Sequence, residues 1–258
     1  MKKIPVTTRA VLGLVVIISC PPLAHAGPPF LTDDPEPIAY RHSEAYLFST
    51  FDKGPDGKLA VIPAFEFNTG PAPDWHLHVS VPFLALRPSD GSNAYGLGDI
   101  ELGVKYRFVH ETGNLPQIGI FPMLELPTGD ADKGLGNGRL WGTLPLWLQK
   151  SWGPWTTYGG GGVAFNSAPG MKNSAFAGWL LQRSVTDKLL LGGEVFYQGA
   201  SSVGNQESTL LNIGGTYNGI QICGGCSLLW RVGTSIAGEV HREAYLGLYW
   251  TWGRVENT

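Results

Sequence analysis

The sequence predicts an all-β protein, a transmembrane antiparallel up-and-down β-barrel of about 12 strands that follows a cleaved signal peptide. Three observations predict it: an export leader, strands whose polarity alternates residue by residue, and links that alternate between long and short. Charged residues make up 15% of the 258-residue chain, below the roughly 25% of an ordinary soluble domain. The formal net charge of -3 provides no broad basic field, which argues against nucleic acid as a partner.

The leader comes first. Lys2, Lys3 and Arg9 form a basic start, Ala10 to Cys20 an apolar run, and Ala24-His25-Ala26 a small-x-small cleavage site. Residues 1–26 are therefore expected to be a signal peptide, with 27–258 the barrel domain. A competing reading lipidates Cys20, but Pro21 and Pro22 directly follow it and the site at Ala26 is better formed. The apolar run is about half of the ~20 residues that a spanning helix needs. Nothing later in the chain is apolar enough for such a helix, so strands must do the crossing if the chain crosses at all.

The strands are next. In Leu97 to His110, Ile100, Leu102, Val104, Tyr106 and Phe108 alternate with Asp99, Glu101, Gly103, Lys105 and Arg107. Successive side chains of a strand point to opposite faces, so one face is apolar and the other carries four charges. Trp75, Leu77, Val79, Val81 and Phe83 repeat the pattern against His76, His78 and Ser80. Ten further runs are centred near Leu47, Ala64, Phe121, Leu146, Gly160, Leu180, Glu194, Ile213, Trp230 and Tyr249. An even number of strands suits a bacterial barrel with both termini in the periplasm. Pro63, Pro82, Pro122 and Pro145 fall inside these runs and remove ladder donors, so bulges or shifted strand ends are expected there. Gly159 to Gly162 specify no face.

The links complete the pattern. Odd strands are followed by DKGPDGK, RPSDGSNAYGLG, PTGDADKGLGNG, NSAPGMKNS, QGASSVGNQES and SIAGEVHRE, and even ones by NTGPAPD, HETGNLP, SWGP, VTDK and CGGC. Longer outer loops and shorter periplasmic turns are the asymmetry of outer-membrane barrels. Trp152, Trp155, Trp250 and Trp252 suit an interfacial girdle. Cys223 and Cys226 flank Gly224-Gly225, which reads as a two-residue hairpin turn closed by a cross-strand disulfide.

If the apolar faces meet lipid, the opposite faces line the lumen. The lumen-lining candidates are Glu66, His76, His78, Asp99, Glu101, Lys105, Arg107, Glu125, Glu194 and Arg231. Opposed charges could form a structural ion-pair network or a surface that contacts solute. His76 and His78 share one face, but a metal would need a third ligand that cannot be placed. Ser80 lies near His78 without a nucleophile elbow, so neither catalysis nor a cofactor is expected. Gly134 to Gly138 match a phosphate loop in composition only, and no helix follows them.

YGLGDIELGVKYRF (95–108), MLELPTGD (123–130), VTDKLLLGGEVFY (185–197) and AYLGLYWTWG (244–253) resemble the bacterial outer-membrane family of the MetA-pathway of phenol degradation, often labelled transporter. The resemblance covers most of the mature chain. It implies a barrel in the outer membrane that passes small aromatic or hydrophobic molecules. Its expected surroundings are outer-membrane lipid and lipopolysaccharide, a small-molecule solute, and the assembly machinery. The alternative expectation is a closed structural or adhesive barrel that transports nothing.

Overall fold

A computed structural model of the protein describes residues 28–253, with the backbone alone at position 222. The expected leader and cleavage site lie outside the described residues. Fourteen strand segments join into twelve wall strands. They are β1 (His42–Gly54), β2 (Gly57–Ala72), β3 (Trp75–Pro88), β4 in two pieces (Ala94–Leu97 and Ile100–Val109), β5 in two pieces (Gln117–Ile120 and Met123–Leu126) and β6 (Trp141–Trp152). The second half holds β7 (Trp155–Phe165), β8 (Ser174–Ser184), β9 (Leu189–Gln198), β10 (Ser208–Ile220), β11 (Cys226–Gly238) and β12 (Arg242–Gly253). Each strand runs antiparallel to both neighbours, and β1 closes the ring against β12, from His42 opposite Gly253 to Lys53 opposite Arg242. Closure leaves no unpaired sheet edge to be solvated, which is what allows strands to cross lipid.

The alternation decides the faces. Leu102 is 41% exposed on the outside of β4, whereas Glu101 and Lys105 are 5% and 4% exposed and point inward. Phe65, Leu77, Leu124, Leu144, Trp179, Val195, Ile213, Val232 and Leu246 continue the exposed apolar band around the wall. An apolar exterior of this extent needs hydrocarbon as its solvent.

Three of the four prolines sit at interruptions. The β2–β3 register slips between Val61 and Ala64, across Pro63. Pro82 lies where β4 breaks, its carbonyl accepting the Gly98 N–H at 2.9 Å. Pro122 divides β5 and its carbonyl accepts from Val104 at 3.1 Å. Pro145, by contrast, sits in unbroken β6 opposite Gly162. The glycine run of β7 does have a role: a Cβ on Gly161 or Gly162 would strike the backbone carbonyl of Phe176 or Leu144. Its neighbours Gly159 and Gly160 lie under the indole rings of Trp179 and Trp147, so the wall closes in around two large rings where side chains are missing.

The expected loop asymmetry holds only in part. The first link at the end away from the termini is Pro55-Asp56 alone, and the last is 239–241. Both strands of each pair extend into stretches that read as loop, because polar residues also continue a ladder once it is clear of lipid. At the terminal end, Trp152 and Trp252 are exposed, Trp75 stacks on Tyr106 at 4.4 Å, and Trp250 Nε1 donates to the Cys223 carbonyl at 3.1 Å. These aromatics ring one rim.

Candidate functional site

Eight of the ten lumen candidates, Glu66, His76, His78, Glu101, Lys105, Glu125, Glu194 and Arg231, are buried inside the barrel. Three of them meet: His78 Nε2 lies 2.9 Å from Glu101 and its Nδ1 lies 3.5 Å from Glu66. Asn68 links the group, accepting from His78 Nδ1 at 2.7 Å and donating to Glu66 at 2.7 Å and Glu44 at 3.1 Å. Both ring nitrogens of His78 thus face acceptors, the pattern of an imidazolium. Glu125 lies opposite Glu101 on the neighbouring strand. Across the lumen, Arg231 Nη2 is 3.0 Å from Glu243 and Nη1 is 4.0 Å from Glu194.

Two candidates lie elsewhere. Asp99 occupies the break in β4 and takes no part in the strand alternation; its carboxylate accepts the backbone N–H of Gly129 at 2.9 Å and of Asn137 at 2.7 Å. It anchors the β5–β6 link, in which Leu135 is buried and Gly134 takes a positive φ of 72°. That link contains the Gly134 to Gly138 run. Arg107 lies where the β4–β5 register slips and reaches out to Asp74 of the β2–β3 turn at 2.9 and 3.0 Å, so it belongs to the rim. Cys223 and Cys226 are bonded to each other. The hairpin is longer than two residues: Ile220 pairs with Cys226, and Cys223 ends a 3-10 turn before Gly224 and Gly225, both at positive φ. The disulfide therefore closes the turn and does not bridge paired strand positions.

Sequence reasoning missed the main occupant of the lumen. Residues 28–38 fold inside the barrel from its terminal end, where Phe30, Leu31, Thr32 and Asp33 are all buried, and residues 39–41 are exposed before β1. Glu194 accepts the Leu31 N–H at 3.0 Å and the Thr32 N–H at 2.8 Å. Lys105 pairs with Asp33 at 3.0 Å and Asp34 at 3.4 Å. Gln117 and Gln149 each donate to Glu36 at 3.2 Å. Leu31 packs among Phe121, Met123, Trp147, Phe176, Phe196 and Leu210, and Phe30 against Tyr158 and Leu180.

These contacts also show that the lumen is not polar throughout. A further inward cluster joins Tyr46, Phe48, Val61, Ala64, Leu229 and Tyr245. Polar groups and apolar rings share the interior, and a segment of chain lies between them. The signal in the sequence is parity: Phe196 lies between Val195 and Tyr197, and Trp147 between Leu146 and Leu148, so those strands are apolar on both faces and one face has to be lined with hydrocarbon inside.

At the end away from the termini, His241 in the β11–β12 link holds β1 through Asp52, with Nδ1 3.1 Å from Oδ2, and lies 3.9 Å from Glu239. The hydrogen bond to Asp52, opposed by burial and reinforced by the charges of Asp52, Glu243 and Glu239, raises the imidazole above its usual value. A raised histidine contributes its full stabilisation below the unfolded value of about 6.5 and loses it as pH climbs through the folded value. Between roughly pH 6 and pH 9 the folded barrel should therefore lose more thermal stability than its His241→Gln variant does, measured as the temperature of the heat-induced gel shift. Equal slopes would exclude His241 as the titrating group.

A closed antiparallel wall with an apolar exterior, a mixed interior and a segment ahead of the first strand folded into the lumen defines the outer-membrane β-barrel class. The chain belongs to the family described as "Putative MetA-pathway of phenol degradation", whose model matches residues 60–219. Among solved structures, the COG4313 outer membrane channel from Pseudomonas putida F1 superposes with a TM-score of 0.70 at 14% identity, covering 85% of this chain and 98% of that one. The KdgM porin in complex with disordered oligogalacturonate gives 0.53 at 10% identity, covering 81% and 99%. The translocator domain of the autotransporter NalP from Neisseria meningitidis gives 0.52 at 13% identity, covering 83% and 88%. No curated protein sequence matches the chain. At these identities the likeness shows a shared fold.

Proposed function

We propose that the protein is an outer-membrane channel for small molecules, aromatic or hydrophobic ones in particular, and that its own N-terminal segment closes it at rest. One observation carries this reading: residues 28–36 lie in the lumen and are held there by a few wall side chains, where a purely structural barrel could be filled from its wall alone. Phe121, Trp147, Phe176 and Phe196 supply ring faces for an aromatic solute behind that segment. The names of two structural neighbours, one a channel and one a porin, support passage. In this reading the termini and the rim of tryptophans face the periplasm, the opposite links face outward, lipid and lipopolysaccharide surround the wall, and the assembly machinery inserts it. The barrel converts no substrate.

The depth at which Leu31, Thr32 and Asp33 are buried favours a second reading, a permanently closed structural barrel. Liposome swelling decides between them. Reconstituted protein should admit glycerol faster than protein-free liposomes do, and a rate equal to the blank would leave the closed barrel.

A further inference from the structure

At the terminal end, between the N-terminal segment and a wall of β1 to β5 and β7, lies a cavity of about 280 Å³. Its lining carries five carboxylates, Asp33, Asp34, Glu36, Glu44 and Glu66. The cations that face them are Lys105 and the doubly hydrogen-bonded His78. Neutral amides serve the rest: Gln117 and Gln149 bond Glu36, and Asn68 bonds Glu44 and Glu66. Amide donors solvate a carboxylate without cancelling its charge, so the cavity holds an excess of negative charge within a wall of low dielectric.

Two buried polar groups on the same lining have no hydrogen-bond partner among the described residues: Asp33 Oδ2 and both ring nitrogens of His76, a residue that is 4% exposed. A carboxylate oxygen can only accept, and a neutral imidazole offers one acceptor beside its donor. Both sites therefore call for a ligand that carries polar hydrogens. Aromatic rings complete the lining, with Phe121, Tyr46 and Tyr158 bordering the cavity. Phe121 already holds a cation, the Lys105 ammonium, 4.9 Å from its ring centroid. Carboxylates interleaved with ring faces form the environment that recognises an organic ammonium. A bare metal ion is a poorer fit, because among the described residues no three His, Cys, Asp or Glu side chains converge on a common point.

We propose that this cavity binds a small organic ammonium ion, its N–H donors directed at Asp33 and His76 and its hydrocarbon body against Phe121, Tyr46 and Tyr158. The proposal names a ligand class for the channel put forward above and rests on that reading where passage is concerned. A cationic amine entering here meets negative charge first, while a carboxylate of equal size is repelled.

The test is calorimetric titration of the detergent-folded full-length protein with three compounds of one shape: benzylammonium chloride, benzyl alcohol and sodium benzoate. Benzylammonium should bind saturably, the alcohol at least roughly tenfold more weakly and benzoate not at all. The double variant Asp34→Asn/Glu44→Gln, checked for folding by its heat-modifiable mobility, should bind benzylammonium at least tenfold more weakly and leave the alcohol unchanged. Absence of benzylammonium binding, equal binding of the alcohol, or an unaffected variant overturns the site. If the double variant does not fold, the order of the three compounds on the natural sequence decides alone. Benzylammonium uptake into liposomes is measured alongside. Binding without uptake supports the site and counts against the channel, whereas glycerol passage without benzylammonium binding does the reverse.

Discussion

Deleting residues 28–38 should raise single-channel conductance in planar bilayers by roughly an order of magnitude. The segment occupies the lumen between inward-facing side chains of the wall. Removing it takes Phe30 and Leu31 out of two apolar clusters, and those side chains stabilise the closed state by about 1.5–3 kcal/mol each. The same deletion releases Glu194 from two backbone N–H donors and Lys105 from its two aspartates. Glu194→Gln should act in the same direction more weakly, since an amide oxygen accepts a backbone N–H less strongly than a carboxylate does. Brief openings of an otherwise closed channel are the expected record. Unchanged conductance after the deletion would mean that wall side chains alone close the lumen, and the structural-barrel reading would replace the channel.

That segment marks the limit of what periodicity can reveal. The wall was legible because lipid imposes one rule on every strand: Leu102 must be outside and Glu101 inside whatever their partners are. All twelve predicted centres fall on wall strands, or, at Phe121, on the break within one. The segment obeys no such rule. It has no repeating polarity, and its first contacts are with Glu194, more than 160 positions away. A site assembled from such separations has no local signature. The rim residue Arg107 and the loop anchor Asp99 were misplaced for a related reason. Alternation assigns a face but not a depth, and it cannot register a strand break produced by Pro82 on the neighbouring strand. The apolar lumen clusters do carry a signal in parity, since Phe196 and Trp147 fall on the inward positions of strands that are apolar on both faces. Glu194 and Arg231 are the most deeply buried of the expected lumen residues, at 1% and 3% exposure.

Replacing Arg231 by Met should be the most destabilising single change in the lumen. The guanidinium is 3% exposed and is the cation standing between Glu243, at 3.0 Å, and Glu194, at 4.0 Å. Two carboxylates would then be left in a site of low dielectric without it. Breaking a buried pair from one side costs about 3–5 kcal/mol, because the partner's desolvation is no longer offset. Arg231→Met should accordingly lower the unfolding free energy of the barrel, measured by urea titration, by that amount, and Glu243→Gln added to it should restore a part by removing one of the stranded charges. Arg231→Lys should restore less than the native residue supports, since a compact ammonium cannot reach two carboxylates from one fork. Glu194 links the stability of this network to the lumen: the carboxylate that faces Arg231 also holds Leu31 and Thr32. Arg231→Met should therefore loosen the N-terminal segment as well, giving openings that the natural sequence shows rarely. A shift within about 0.5 kcal/mol, the size of an ordinary surface substitution, would show that water reaches these carboxylates, and the lumen would then have to be treated as wet at its centre.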